Sequence, residues 1–544
     1  MIKRLILTAI LLFSSLATAN AGVLWSKHSY FRNFGGLNDV SSSSEIEDNE
    51  ATDIQNIVFD TSGAIKKRYG YRTLPESTGT IYKAATGQIT GLIYFKKSNG
   101  DKFLFGISND SGQARAFYKQ YDTSTSLPVS AWTDNTGILP SGYSADYLAT
   151  LSVANDLVVI TLDAGTQKKP FAWTATAPVY QLSSDANLPV ATLNCYHKNI
   201  LFLAGNDAYP SRVYFSNLGL IDTWTVTDFF DVNSNNGTRV TGLISAYDCL
   251  YIFLDKSIWR LSGSDRDSFQ LEKMVDNIGT TSQQSLSIVN NLIYFTTAQG
   301  DIAVYDGAYT VKFLSQKIRN TIGGLNFTRA SKTLGLAFST YKYVDNDYYV
   351  AVSESGSGTN NLILLFDTAH NAWTKFKGIN ASAWTVADTS SGQYAMVFGD
   401  YDGYVHQYPS TGYYDGDVAT SAISAHYQTK WFRYADQSLG DKYMRLLKTY
   451  CLSETQSPNN LTIEAKADYE TVGTEYVVNL SQSGAMWDVA LWDIDLWSGQ
   501  RLIVDREEVN KGVDIFQLKF SNENVDEGFT VLGYENYIEP SDRI

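Results

Sequence analysis

Cysteine, proline and histidine are scarce, and each scarcity removes a class of function. The three cysteines, Cys195, Cys249 and Cys451, stand far apart and odd in number among 544 residues. Neither a disulfide framework nor a cysteine metal site is indicated; three buried, small apolar side chains are the plain reading. The five histidines (His28, His197, His370, His406, His426) are scattered, with no partner at metal-ligand spacing. Polar or core roles suit them better than metal ligation. Ten prolines beside 40 glycines leave the turns to Gly, Asn and Asp. Beyond the extreme N-terminus, no window sustains the three-and-four apolar spacing of a helix.

Positive charge is also in deficit: 42 Lys and Arg against 57 Asp and Glu give a net charge of −15 and a sequence pI near 4.8. Wrapping nucleic acid through its phosphates needs clustered Lys and Arg, which this balance argues against. An acidic wall past which a polyanion slides is compatible with it, and so is simple solubility. No Gly-rich phosphate loop, nucleophile elbow or metalloprotease helix occurs.

What is present is apolar and aromatic. Apolar residues make up 44% of the chain, with 36 Tyr, 26 Phe and 11 Trp, enough for two or three packed units. The texture predicts an all-β protein of many short strands. Four segments are expected. Residues 1–21 form a signal-like leader: Lys3 and Arg4 precede the short apolar run Leu5–Leu16, and Ala19-Asn20-Ala21 supplies a small-x-small site before Gly22. The run is short for a membrane span. Its rival is an N-terminal strand or helix retained in an assembly. Residues 22–78 read as an extended arm ending in a hairpin around Gly63.

Residues 79–415 read as a β-propeller of about six or seven blades. Strand-like pairs recur from Ile89, Tyr147, Val190, Val240, Gln284, Ser331 and Ala383, near the period of propeller blades. Two echoes support the repeat. Thr90-Gly91-Leu92-Ile93 recurs as Thr241-Gly242-Leu243-Ile244, and Phe295-x4-Gly300-x4-Tyr305 as Phe398-x4-Gly403-x4-Tyr408. A four-stranded sheet cannot bury both faces alone, whereas a ring of them does so against neighbours. Residues 416–544 read as an antiparallel β-sandwich, with strands expected at Ile423–Tyr434, Tyr443–Leu452, Leu461–Ala467, Glu475–Leu480, Arg501–Asp505, Ile515–Phe520 and Thr530–Ile538. Phe516, Leu518 and Phe520 alternate with Gln517 and Lys519, one face in and one out.

Several local patterns invite chemistry. Asp231–Thr238 begins like a calcium loop, but its glycine comes one residue late, and Gly242 stands where a bidentate Glu is required. Asp400 with Asp402, or Asp345 with Asp347, could be the carboxylate pair of a propeller glycosidase. Both pairs lie in Asp/Gly/Asn turns, where Asp is favoured for geometry alone. The spacing of Trp487, Trp492 and Trp497 does not place all three on one face of a regular strand. A buried subunit contact suits them better than a sugar platform. Lys66-Lys67-Arg68 is the densest positive patch, either a solvated strand face or a contact for an acidic neighbour or DNA. No catalytic residue, metal or cofactor is assigned.

Five ordered texts carry a family resemblance. They are Phe34-Gly35-Gly36-Leu37-Asn38 with Asp48–Asn56; the hairpin Gly63–Tyr71; Leu250–Gly263; the ladder Trp487, Trp492, Trp497; and Phe516–Phe520 with Leu532-Gly533-Tyr534. Together the set resembles the tail nozzle proteins of short-tailed bacteriophages, also called tail tubular protein B or packaged-DNA stabilisation proteins. The resemblance implies a propeller-bearing virion subunit that assembles as a homo-oligomer, usually a six-fold ring. It would sit below the head-to-tail adaptor, next to tail fibre or tip proteins. Such a ring extends the DNA conduit and retains the packaged genome, with DNA passing through without sequence-specific binding. Phe34, Gly35, Gly36, Leu37, Asn38, Lys66, Lys67, Arg68, Trp487, Trp492 and Trp497 are then candidate assembly residues. An exported propeller binding glycans or proteins, periplasmic or secreted if the leader is cleaved, is the alternative.

Overall fold

A computed structural model of the chain describes residues 27–74, 83–121, 131–143, 147–162, 168–175, 177–233, 238–339, 346–390, 393–433, 442–454, 459–481 and 502–540. The protein is almost entirely β. Among the described residues, seven four-stranded antiparallel sheets follow one another in sequence and close into a β-propeller. Blade 1 is built from Ile89–Lys96, Lys102–Asp110, Gln113–Tyr121 and Thr133–Asp134. The innermost strands of blades 2 to 6 begin at Ala149, Leu193, Val240, Ser287 and Leu334. Each lies at or just beyond a start read from the sequence, where a short strand-like run follows turn residues.

Blade 7 comprises Ala383–Ser390, Gln393–Gly399 and Val405–Tyr408, and its fourth strand is Arg72–Thr73, brought from the N-terminal segment. The ring is therefore closed by pairing the start of the chain with its last blade. Thr73 lies opposite His406 and Arg72 opposite Gln407. This removes the open edge that a last blade would otherwise expose.

The two sequence echoes occupy equivalent places. In both Thr-Gly-Leu-Ile copies the glycine follows a β-bulge on an innermost strand, between Ile89 and Gly91 and between Val240 and Gly242. The adjacent threonine hydroxyls, Thr90 and Thr241, each donate to a carbonyl of the next strand at 3.2 Å. In the Phe-Gly-Tyr copies, Gly300 and Gly403 turn a second-to-third strand hairpin with φ of +81° and +90°, a region that suits glycine.

Six apolar cores each lie between neighbouring blades. The seventh, between blades 5 and 6, is continuous with a second unit. That unit is a sandwich of two six-stranded sheets. One sheet runs Ile57–Phe59, Ile65–Lys67, Thr530–Pro540, Lys442–Leu452, Leu502–Gly512, with Lys27–Phe31 also paired to Thr530–Pro540. The other runs Ala51–Gln55, Ala425–Thr429, Ile515–Asn522, Asn460–Ala467, Thr474–Asn479, with Phe432–Arg433 also on Ile515–Asn522. Residues 27–67 thus supply four sandwich strands before the chain crosses to the propeller. Gln517, expected on a solvent face, is buried: its amide donates to Thr429 O at 2.8 Å and accepts from Gln428 at 3.0 Å. The arm strand Ala51–Gln55 extends the same sheet beyond Ala425–Thr429, and Thr52 Oγ1 lies 3.2 Å from the Gln517 amide nitrogen.

The signal-like leader lies outside the described residues. No helix among the described residues is long and apolar enough to cross a membrane.

Candidate functional site

Most of the sequence-marked residues that the structure describes converge on the seam between arm, blade 6 and sandwich. Phe34 is buried and packs edge-on against Tyr427 and Phe520, with ring centroids 5.1 and 6.2 Å away, and in a tilted pose against Tyr534 at 6.1 Å. Gly36 follows because nothing larger fits: a Cβ there would sit 2.4 Å from Trp373 N. That close approach lets Leu37 N donate to Trp373 O at 2.9 Å, tying the arm to the outermost strand of blade 6, Ala372–Phe376. Asn38 donates to Glu50 Oε2 at 2.7 Å, and Lys317 donates to the other Glu50 oxygen at 2.6 Å. Burial alone would raise the Glu50 pKa, but the bonds from Lys317 and Asn38 bring it below the usual carboxylate range.

Lys66-Lys67-Arg68 is not the positive surface patch its composition suggests. Lys67 and Arg68 are both 0% exposed. Arg68 forms a bidentate pair with Asp415 (2.8 and 2.7 Å) and also donates to Asn56 Oδ1 at 2.8 Å, Tyr69 O at 3.0 Å and Lys377 O at 2.7 Å. One guanidinium therefore joins the arm, blade 6 and the segment leading into the sandwich, and all five of its donor directions are matched. Lys67 reaches Asn522 Oδ1 at 2.6 Å and Asn524 O at 3.1 Å in the sandwich. Burial, reinforced by the neighbouring Arg68 charge, pulls its amine down to about 7. Only Lys66 is partly exposed, with its ammonium 2.9 Å from the Tyr69 hydroxyl. Trp487, Trp492 and Trp497 lie outside the described residues.

The same seam holds Asp53 between His426 (2.8 Å) and Lys375 (2.8 Å). Burial would raise this carboxyl, yet those two partners drive it far below its usual value. Sequence reading missed Lys375 and Asp415, and quoted Asn56 only within the Asp48–Asn56 text without giving it a role. No local signal marks them, because each acts on a residue distant in the chain.

Of the carboxylates weighed for hydrolysis, Asp400 and Asp347 have other engagements. Asp400 accepts from the backbone N–H groups of Asp402 and Tyr404 (2.9 and 2.8 Å) and pairs with His406 at 3.0 Å, while His406 contacts Thr73 of the closing strand at 3.2 Å. Asp347 is buried and accepts from Thr368 N at 3.0 Å, and Asp345 lies outside the described residues. Asp231 of the calcium-like loop pairs with Arg212 at 2.8 Å, and residues 234–237 lie outside the described residues. Among the described residues no group of three His, Cys, Asp or Glu side chains is placed to hold a metal ion.

A second place of interest is the propeller axis, at the N-terminal ends of the innermost strands. The Gln283 side chain mimics a strand: its Oε1 accepts from Leu243 N at 2.6 Å and its Nε2 donates to Leu243 O at 2.9 Å, both in blade 4. Gln284 extends across the axis, its amide nitrogen 3.4 Å from Ala149 O in blade 2. Two cavities of about 180 and 230 Å³ flank it and share Thr150, Gln283 and Gln284.

No protein-family model matches the chain, and no curated protein matches it. Among solved structures it is similar to the Pan2 WD40 domain of Neurospora crassa (10% identity, TM-score 0.36), covering 64% of this chain and 96% of that one. It is also similar to YCF48 from Cyanidioschyzon merolae (9%, TM-score 0.35, 62% and 98%). An exo-beta-1,3-galactanase from Phanerochaete chrysosporium matches at 8% identity and a TM-score of 0.27, over 87% and 100%. Likeness this distant says nothing of function.

Proposed function

We propose that the protein is a structural subunit of a phage tail, a nozzle component that assembles into a ring, extends the DNA conduit and retains the packaged genome. The observation that carries this reading is the seam. The chain places a buried polar network, Arg68 with Asp415, Asn56 and Lys377, where the arm, blade 6 and sandwich meet, and threads its N-terminal segment through both units. Joining the units in this way suits a part whose task is to hold position in an assembly. The ordered nozzle-like motifs and the acidic net charge support the same reading, and Asp400 is engaged within its own turn and with His406. The partners are then further copies of the chain, six in a ring, with the head-to-tail adaptor above and fibre or tip proteins beside it. DNA passes through without being read, and no catalysis or cofactor is involved. Electron microscopy of purified full chain at several concentrations tests this: closed rings are expected, and dispersed single subunits throughout would overturn it.

A second reading is favoured by the cavities on the propeller axis: an exported propeller whose channel mouth binds a ligand. Cell fractionation with N-terminal sequencing separates the two. A mature end at Gly22 outside the cytoplasm supports export, and an intact N-terminus in virions supports the nozzle.

A further inference from the structure

The larger axial cavity differs in charge from the rest of this acidic protein. Its lining comes from the segments that lead into the innermost strands of blades 2 to 6, and among the described lining residues there are two cations and no carboxylate. Arg239 leads into blade 4 and Lys332 into blade 6, so the two approach the cavity from different sides. Arg239 is exposed and pairs with Asp207, itself largely exposed, at 2.7 Å. Ion pairs of this kind contribute little, and Arg239 also donates to Gly205 O at 3.2 Å. Lys332 lies 5.7 Å from the centre of the Tyr147 ring, which also lines the cavity. The remaining polar lining is hydroxyl and amide. Thr281 Oγ1 is buried with no hydrogen-bond partner among the described residues, and such a group favours a ligand able to supply one. Gln284 closes the inner side.

We propose that this channel mouth is a binding site for a single sugar acid: a small polyhydroxylated molecule carrying one carboxylate. Two cations converging from different blades select the negative charge. The Thr281 hydroxyl and the Gln284 amide match a ligand rich in hydroxyls, and the Tyr147 ring offers a flat face. The volume, about 230 Å³, lies below the usual ~300–1,000 Å³ range of drug-sized sites, so one sugar unit suits it and an oligosaccharide does not. The site goes beyond the assembly reading, since a ring forms or fails to form whether or not the mouth is filled.

Isothermal titration of the full chain with D-glucuronate tests it, using D-glucose and inorganic phosphate as comparison probes and Arg239→Gln, Lys332→Gln and Thr281→Val as variants. Glucuronate is expected to bind, and each glutamine variant to weaken it by about tenfold, the scale of one lost charge-assisted bond. Glucose and phosphate should each bind at least about tenfold more weakly than glucuronate. Arg239 is exposed and Lys332 half-buried; unchanged thermal unfolding of their variants separates loss of binding from loss of fold. The proposal is overturned if glucuronate gives no saturable binding, if both glutamine variants bind as the parent does, or if phosphate binds as tightly as glucuronate.

Discussion

Arg68 shows how much of this protein depends on single buried charges. Its partner Asp415 is 347 positions away, and the pair is bidentate and almost fully enclosed. A buried pair adds little over apolar residues of similar size, but breaking it leaves an uncompensated charge. Arg68→Ala should therefore cost about 3–5 kcal/mol, read as a large drop in the urea midpoint. Arg68→Met with Asp415→Leu should recover much of that loss. A single variant as stable as the parent would remove Arg68 from its place at the seam. Lys67 gives a second test. Its amine titrates near 7 in the fold but near 10.5 when unfolded. Between those values the unfolded chain holds a proton that the folded chain lacks, so stability rises with pH. Above about 9 the Cys195 thiol, which desolvation pushes up to about 12, opposes the rise, because the unfolded thiol ionises first. The expected gain between pH 7 and 9 approaches about 1.4 kcal/mol per pH unit. Lys67→Met should flatten it, and a parent whose stability falls over that window would contradict the assignment.

Among the elements, the arm depends on close backbone approach at Gly36. Gly36→Ala places a methyl 2.4 Å from Trp373 N and 2.8 Å from Ala372 Cα, backbone that cannot step aside. A loss of about 1–3 kcal/mol is expected, whereas Gly358→Ala, with open space around it, should be close to neutral; calorimetry of both variants compares them directly. The propeller was legible in the sequence because each innermost strand repeats a local signal, and the sandwich strands because alternation marks them within a few residues. The arm's destination was not legible. Ala51 pairs with Thr429 and Arg72 with Gln407, and pairings across such separations leave no periodic trace. Lys66-Lys67-Arg68 read as a surface patch for the same reason. Three adjacent cations resemble a solvated face unless Asp415 and Asn522 are known to meet them.

At the scale of the whole molecule, propeller and sandwich share one apolar core through blades 5 and 6, and the N-terminal segment is stitched into both before the first blade begins. On the proposed reading, a subunit built this way presents two differently shaped units in a fixed covalent order, which suits a repeated place in a ring. The net charge of −15 then makes salt a lever: if like-charged copies meet at the ring contacts, assembly should strengthen as ionic strength rises and screens their repulsion. The most direct test of the assembly claim is the native mass spectrum of the purified full chain across a range of concentrations and salt. The account predicts a closed species of about six copies of the 60.4 kDa chain that grows with concentration. A single-copy mass under every condition would contradict it.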